Sequence, residues 1–223
     1  MPVPVPVQTG ALDGRLRAAA REAAAGRDPA HDYEHVLRVE RSAAAIAADE
    51  GADARVVRLA ALLHELVCLP KDHPESPLAG ERAAERAAAL LRAEEVDEPT
   101  VARVAYAIRV HPFSRGVAPE TLEARVLQDA DRLDAIGAVG IARCFATGGA
   151  LGASLYHPED PFARRRGEGG LDDKRFSVDH FQRKLLKLEA GLHTATARRL
   201  AAARVRFMTA YLEQLEREVG EGP

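Results

Sequence analysis

The sequence predicts an all-α protein that folds as a single domain of seven or more helices. Of its 223 residues, 47% are hydrophobic and 29% are charged, which is the balance of an ordinary globular chain. Aromatic residues make up only 4% and tryptophan is absent, so alanine, leucine and valine must supply the core. Alanine-rich faces favour close helix packing, and alanine and arginine are strong helix formers. No segment has a convincing strand pattern.

The first three helices are bounded by proline, glycine and capping residues. A helix rich in alanine and arginine is expected over residues 12–25. Asp28-Pro29 has the pattern of an N-cap followed by proline at the first helical position, and Gly51 has the pattern of a C-terminal stop. The second helix is therefore expected between them. The third is expected over residues 53–69, because a proline follows that cannot continue it.

Five more helices follow. Proline near the first turn marks the start of the first three, and a hydroxyl side chain marks the start of the last two. They are expected over residues 76–95, 99–111, 119–146, 177–188 and 194–219. Gly137 and Gly140 lie inside the longest of them and indicate points of close packing.

A long loop without helical periodicity is expected over residues 148–171. The segment is rich in glycine, proline and arginine and is long for a plain connector, so it is either a mobile lid or a disordered excursion. The run Arg164-Arg165-Arg166 inside it is expected to be solvated. Phosphate capture by a closing lid is the alternative for this run.

Composition also limits the partners and the compartment. The chain has 31 basic and 34 acidic residues, a formal net charge of −3 and no long basic block, so we expect neither nucleic-acid nor membrane binding. Residues 1–11 begin with alternating proline and valine and are expected to be a flexible leader rather than a signal peptide, with the folded domain over residues 12–219. Cys68 and Cys144 lack CxxC and CxxH spacing, which indicates buried free thiols in a cytoplasmic protein. A homodimer is compatible with the sequence.

Three chemically unusual residues are expected to face the interior: His35, His64 and Asp131. Imidazole nitrogens and a carboxylate form a mixed ligand set that suits manganese, iron, zinc or magnesium. However, no single segment holds all three, and a lone histidine on an apolar helix face is more often an ordinary core residue. Their spacing alone therefore leaves a metal site and a plain core both open.

The residues around these three resemble the motifs of HD-domain phosphohydrolases, which are all-α and metal-dependent. HDYEH at 31–35 resembles the opening motif of that superfamily, and LLHE at 62–65 stands where it has its His-Asp pair. QDADRLDAIG at 128–137 resembles the segment that bears its final aspartate ligand. The order, the helical placement and the spacing all agree with the HD-domain helical fold.

Other motifs resemble the bacterial nucleotide pyrophosphohydrolases of this superfamily. They are PKDHPES at 70–76, HPFSRG at 111–116, GIAR at 140–143 and HFQRKLL at 180–186. The resemblance implies a small phosphate or nucleotide substrate, and hydrolysis of a nucleoside triphosphate to the monophosphate and pyrophosphate. The alternatives are a phosphomonoesterase acting on nucleotides or another small phosphate, and a nucleotide-binding module whose catalysis is weakened at position 65.

The resemblance also implies one divalent ion, held by His35, His64, Glu65 and Asp131. Mn²⁺ is the expected ion, and Mg²⁺, Fe²⁺, Ni²⁺ or Zn²⁺ would also suit the ligand set. The family has aspartate at position 65, whereas this chain has glutamate, whose extra methylene moves the carboxylate by about 1.5 Å. Three outcomes stay open: Glu65 still ligates, a water replaces it at the ion, or the metal site is weakened or lost.

Candidate catalytic residues are Glu65, His111 and Asp134. His111 is expected to contact the substrate or the leaving group. Asp134 lies one turn beyond Asp131 and could orient a water or a ligand, or form a surface salt bridge instead. Asp129 is the fallback for Asp131, but it points about 200° away on the same helix, so the two are not expected to share an ion.

Lys71, Arg115 and Arg132 are the candidates for substrate binding, because several cations are needed to clamp a polyphosphate. Solvated surface charges are the alternative for Lys71 and Arg115. His73 and His111 together could hold a second metal, as in dinuclear HD-domain proteins, some of which are oxygenases. A site for one ion is favoured, since neither surrounding segment resembles the dinuclear pattern.

Overall fold

A computed structural model describes residues 10–28, 30–69, 73–112 and 116–220, and over these residues the chain forms nine α-helices. Within these described residues, one isolated β-bridge pairs Ser154 with Phe176. The all-α prediction is therefore confirmed. The helices are α1 Ala11–Ala23, α2 Tyr33–Glu50, α3 Ala54–Leu63, α4 Ala79–Ala93, α5 Glu98–Val110, α6 Leu122–Asp134, α7 Gly137–Ala150, α8 Ser177–Arg183 and α9 Ala195–Gly220.

The core lies where α2, α3, α5 and α6 pack against one another. α4 covers α5, and α9 lies against α6 and α7. Aliphatic side chains such as Val39, Leu63, Ile108 and Leu127 are completely buried there, as the composition predicts. No helix within the described ranges is long and apolar enough to cross a membrane.

The second helix begins later than predicted, at Tyr33. Asp28 accepts a hydrogen bond from the Ala30 amide (2.8 Å) in a preceding turn, and Pro29 lies outside the described residues. The true N-cap is Asp32, whose carboxylate accepts the amide of His35 at 2.9 Å. The prediction was wrong here because two aspartates four residues apart both had cap potential. The cap fixes the backbone of His35 in the first turn of α2.

The third helix ends at Leu63 rather than at residue 69. The ring of His64 donates from Nδ1 to the carbonyl of Ala61 at 2.7 Å, which is the acceptor that the amide of residue 65 would use in a continuing helix. Arg27 donates to the carbonyl of Glu65 at 2.7 Å, and Arg86 donates to a neighbouring carbonyl. Side chains thus replace the helical hydrogen bonds, and both site residues of this segment lie in a turn.

The long helix predicted over residues 119–146 is in fact two helices, α6 and α7. The chain turns at Ala135, and Gly137 has a φ of +79°, a left-handed conformation that favours glycine. Gly140 lies so close to the Ala135 carbonyl that a Cβ atom would overlap it. The two glycines do mark close packing, but the packing is that of a helix break.

Between α7 and α8 the chain is held in place by buried charges. Asp160 accepts the backbone amides of residues 164–166, and Arg166 donates to both carboxylate oxygens of Asp179 at 2.7 and 2.8 Å. Arg166 is therefore not solvated as predicted, whereas the side chain of Arg165 is 74% exposed. The ordered network contradicts a disordered excursion. α8 is also shorter than predicted, since two 3-10 turns, Leu185–Lys187 and Glu189–Gly191, follow it.

The two cysteines and the expected N-terminal leader complete the comparison with the sequence predictions. Cys68 and Cys144 are both free, as expected, but Cys68 is exposed and Cys144 is only partly buried. Residues 1–9 of the expected leader lie outside the described residues.

Candidate metal centre

The fold brings His35, His64 and Asp131 together at the centre of the helical core. His35 comes from the first turn of α2, His64 from the turn after α3, and Asp131 from α6. The Nε2 atoms of the two histidines are 3.4 Å apart, and Nε2 of His35 is 3.5 Å from Oδ1 of Asp131. All three ligand atoms lie within 4.8 Å of one another, which makes this a group able to hold a metal ion.

Each histidine ring near this point is fixed through its Nδ1 atom. Nδ1 of His35 donates to Oδ2 of Asp134 at 2.8 Å, and Nδ1 of His64 donates to the Ala61 carbonyl. Nδ1 of His111 donates to the Ile108 carbonyl at 2.6 Å. Because these acceptors keep the proton on Nδ1, the Nε2 atoms present lone pairs, which is the tautomer that ligates metals.

Burial favours the neutral forms of His64 and His111. Burial and the neighbouring charge of His35 lower the pKa of His64 to about 4, and burial also lowers the pKa of His111. Burial raises the pKa of Asp131, but the charges of His35 and His64 outweigh it, so that the pKa falls below its usual value. A neutral His64 and an ionised Asp131 are the protonation states in which these two side chains can ligate a divalent ion.

The arrangement fits a cation better than an empty core. With both Nδ1 atoms donating, the Nε2 lone pairs of His35 and His64 face each other at 3.4 Å and repel. A cation between them would turn that repulsion into attraction. His35 and His64 are each 1% exposed, whereas the side chain of Asp131 is 32% exposed. Of these three side chains, that of Asp131 is therefore the one in contact with solvent.

Glu65 lies beside this triad rather than within it. Its carboxylate comes within 4.8 Å of the ligand atoms of His64 and His111, which together form a second group with metal-binding residue types. Arg27 pairs with it, from Nη1 to Oε2, at 2.9 Å. Of the described residues, the triad of His35, His64 and Asp131 is thus the part of the predicted ligand set that the fold assembles around one point.

Asp134 is a buried anchor rather than a surface charge. Besides His35, it accepts hydrogen bonds from Arg38 at 2.7 Å and from Arg143 at 2.7 Å. Burial raises the pKa of Asp134, but the hydrogen bonds from His35 and Arg38 lower it far below its usual range. Neither arginine was predicted to contribute to the site. Arg38 could have been found, because it stands three positions after His35 on the same helix face.

Two other polar residues of α6 have structural roles. Asp129 is completely buried, and it accepts the amides of His193 and Thr194 and the hydroxyl of Thr194, which fixes the start of α9. This placement rules out Asp129 as the alternative ligand. Arg132 donates to the carbonyls of Leu188 and Gly191. These bonds hold its guanidinium against the turns before α9, and a substrate contact of Arg132 stays a prediction.

His73, the remaining predicted residue that lies within the described ranges, takes part in a local turn. His73 is exposed, and its Nδ1 accepts the amide of Glu75 at 3.1 Å, so it closes a local turn. Lys71 and Arg115 lie outside the described residues. Arg27 is a cation beside Glu65 that was not predicted. A pair separated by 38 positions leaves no local signal in the sequence.

Comparison with known families and proteins agrees with this geometry. The sequence profile of the HD domain matches residues 32–136, a range that contains the whole triad. The uncharacterized protein YpgQ of Bacillus subtilis is 36% identical over 193 residues, which is 85% of this chain and 84% of YpgQ.

Solved structures are similar over nearly the whole chain. The crystal structure of Bacillus subtilis YpgQ in complex with ADP superposes with a TM-score of 0.70 at 34% identity, over 93% of this chain and 94% of YpgQ. The crystal structure of an HD-superfamily hydrolase from Bacillus thuringiensis superposes with a TM-score of 0.72 at 29% identity, over 94% of this chain and 97% of that one.

Proposed function

Because this chain belongs to the HD-domain family of hydrolases, we propose that it hydrolyses nucleoside triphosphates to the monophosphate and pyrophosphate. The observation that carries the proposal is the triad of His35, His64 and Asp131, with its fixed Nδ1 atoms and converging ligand atoms. A nucleotide is favoured as substrate because the YpgQ structure contains ADP, and YpgQ is similar over almost the entire chain.

The triad would hold one divalent ion, with Mn²⁺ as the expected species. When bound, such an ion supplies charge neutralisation for phosphate oxygens and activation of water. Asp134 keeps the proton of His35 on Nδ1, so that Nε2 stays available to the ion. Asp131, the most exposed of the three ligands, defines the side on which the substrate phosphates approach.

Glu65 and His111 are proposed to act beside the ion. The Glu65 carboxylate can accept a proton from the attacking water, and the buried His111 imidazole can contact the leaving pyrophosphate through Nε2. Lys71 and Arg115 remain the proposed phosphate contacts. Arg143 adds positive charge near the triad, since its charge helps lower the pKa of Asp131.

Product analysis tests the proposal. The purified chain with added Mn²⁺ is incubated with a panel of ribo- and deoxyribonucleoside tri- and monophosphates, and pyrophosphate, inorganic phosphate and nucleotides are resolved. Monophosphate and pyrophosphate in equal amounts, lost in Asp131→Asn, are expected. Inorganic phosphate without pyrophosphate, released from monophosphates, would support the phosphomonoesterase alternative and contradict our proposal.

A nucleotide-binding module is the competing function outside enzymes. Its specific basis is that Glu65 stands outside the triad and pairs with Arg27. On that account the native chain binds nucleotides without turnover, and Glu65→Asp creates turnover. On ours, the native chain already turns over in the panel assay.

A further inference from the structure

We propose that Arg27 holds Glu65 away from the metal ion, so that this chain binds its ion through His35, His64 and Asp131. Metal binding is therefore weaker than in a variant that lacks the contact between Arg27 and Glu65. This inference rests on the proposed metal site and adds a residue that sets its affinity. Arg27 is a positioning residue here, because it acts on the site through Glu65.

Arg27 donates hydrogen bonds to Glu65 at two points, and this two-point contact is called the grip below. Its Nη1 atom donates to Oε2 of the side chain at 2.9 Å, and its Nη2 atom donates to the backbone carbonyl of the same residue at 2.7 Å. A planar guanidinium with two donors in a fixed fork fixes direction as well as distance. Both the backbone and the carboxylate of Glu65 are therefore held by one side chain.

The grip is largely shielded from solvent. The side chains of Arg27 and Glu65 are 15% and 17% exposed, so water screens the pair much less than it screens a surface ion pair. The amide of Arg27 bonds to the carbonyl of Ala24 at 3.3 Å, which ties the arginine to the end of α1. Swinging Glu65 towards the triad would leave a half-buried guanidinium without its carboxylate, which is strongly unfavourable.

The position of Glu65 shows that the hydrogen bonds from Arg27 keep its carboxylate outside the triad. Its carboxylate lies within 4.8 Å of the ligand atoms of His64 and His111, but it is not part of the group that includes His35 and Asp131. The carboxylate thus already lies close to His64, one of the three triad ligands. Loss of the grip, without any other change, is expected to convert Glu65 into an additional ligand.

Removal of charge and removal of the grip must be separated experimentally. Arg27→Met removes the positive charge beside a cation site, which alone would tighten metal binding. Arg27→Lys keeps the charge but has one nitrogen on a flexible stem, so it cannot reproduce the two fixed donors, Nη1 and Nη2, that hold carboxylate and carbonyl. Glu65→Gln removes the charged ligand, and any effect that acts through Glu65 must vanish in that background.

The experiment is calorimetric titration of the metal-free full chain with Mn²⁺. We expect Arg27→Lys and Arg27→Met each to bind Mn²⁺ about 10-fold more tightly than the native chain, a size typical of residues that orient ligands. In the Glu65→Gln background, Arg27→Lys should change the Kd less than about 2-fold. Arg55→Lys, at a side chain that is 58% exposed, is the matched control and should have no effect.

A second readout reports the ligands directly. The visible absorption of bound Co²⁺ weakens as its coordination number rises, so the Co²⁺ form of Arg27→Lys should absorb less than the native form. An unchanged Kd and spectrum in Arg27→Lys, with Mn²⁺ binding normal in the native chain, would overturn the inference alone. If Arg27→Met tightened Mn²⁺ binding equally in the native and the Glu65→Gln backgrounds, the inference would also be overturned, because the effect would then come from the lost charge alone. A native chain that binds no Mn²⁺ would overturn the proposed function itself.

Discussion

Nδ1 of His35 lies 2.8 Å from Oδ2 of Asp134, although the two residues are 99 positions apart. The same carboxylate accepts hydrogen bonds from Arg38 and Arg143, so it cannot turn away from the ring without breaking them. One buried aspartate thus sets both the orientation and the tautomer of a proposed metal ligand.

This relationship predicts the effect of Asp134→Asn on metal binding. An amide is a weaker acceptor than a carboxylate and can present its NH₂ group to the ring, so Nδ1 no longer holds the proton securely. Mn²⁺ affinity should fall by about 10- to 100-fold in calorimetric titration. Asp49→Asn, at a carboxylate that is 51% exposed, is the control and should bind as the native chain does. Equal affinity in both variants would refute the positioning role.

The free energy of unfolding of the metal-free protein should fall as the pH is lowered from about 6.5 to about 4. The folded pKa of His64 is about 4, whereas the unfolded chain takes up this proton near pH 6.5. The unfolded state therefore binds more protons between these values, and the free energy of unfolding falls as the pH falls, by roughly 3 kcal/mol at pH 4 from this residue. Urea denaturation at pH 7, 6 and 5 measures the decline. A slope as steep in His64→Gln as in the native chain would show that another group causes it.

The close approach of Gly140 at the break between α6 and α7 predicts that alanine is harmful there, whereas it should stabilise an open helical position such as Gly14. Gly140→Ala places a methyl group against the Ala135 carbonyl and should lower the free energy of unfolding by roughly 1–3 kcal/mol. Gly14→Ala, on an exposed position of α1 with nothing within 4 Å, should raise it by about 0.5–1 kcal/mol. Thermal unfolding of both variants compares them directly, and equal shifts of the same sign are incompatible with the close approach.

The network after α7 predicts a contrast between adjacent arginines. Arg166→Met leaves the completely buried carboxylate of Asp179 without its ion-pair partner and should cost about 3–5 kcal/mol of stability. Arg165→Met should stay within about 0.5 kcal/mol, since that side chain is mostly exposed. Hydrogen exchange should quicken in residues 160–179 of the first variant. Exchange as slow as in the native chain would mean that the pair does not order this segment.

Local signals in the sequence were sufficient for most helix starts. Asp53 and Asp97 cap α3 and α5 through their carboxylates, and proline stands in the first turn of α5, as the capping pattern indicates. Both interactions join residues only a few positions apart. The helix class of the fold followed from the same local information together with the small, aliphatic composition.

The arrangement around the triad could not be predicted in this way. The grip of Arg27 on Glu65 and the bond from His35 to Asp134 join distant segments, and their spacing in the sequence carries no information. The end of α3 was missed because the His64 ring competes for a backbone carbonyl. The bonds of Arg132 to two backbone carbonyls in the turns before α9 likewise join segments far apart in the chain, so no pattern in the sequence indicated them.

Metal content is the most direct test of the central claim, that His35, His64 and Asp131 hold a catalytic ion. The native chain, loaded with Mn²⁺ and desalted, should contain one ion per chain by elemental analysis. Asp131→Ala and His64→Ala should contain almost none and should lose nucleotide hydrolysis, while Asp49→Asn keeps both. Full metal content in either triad variant would contradict the account.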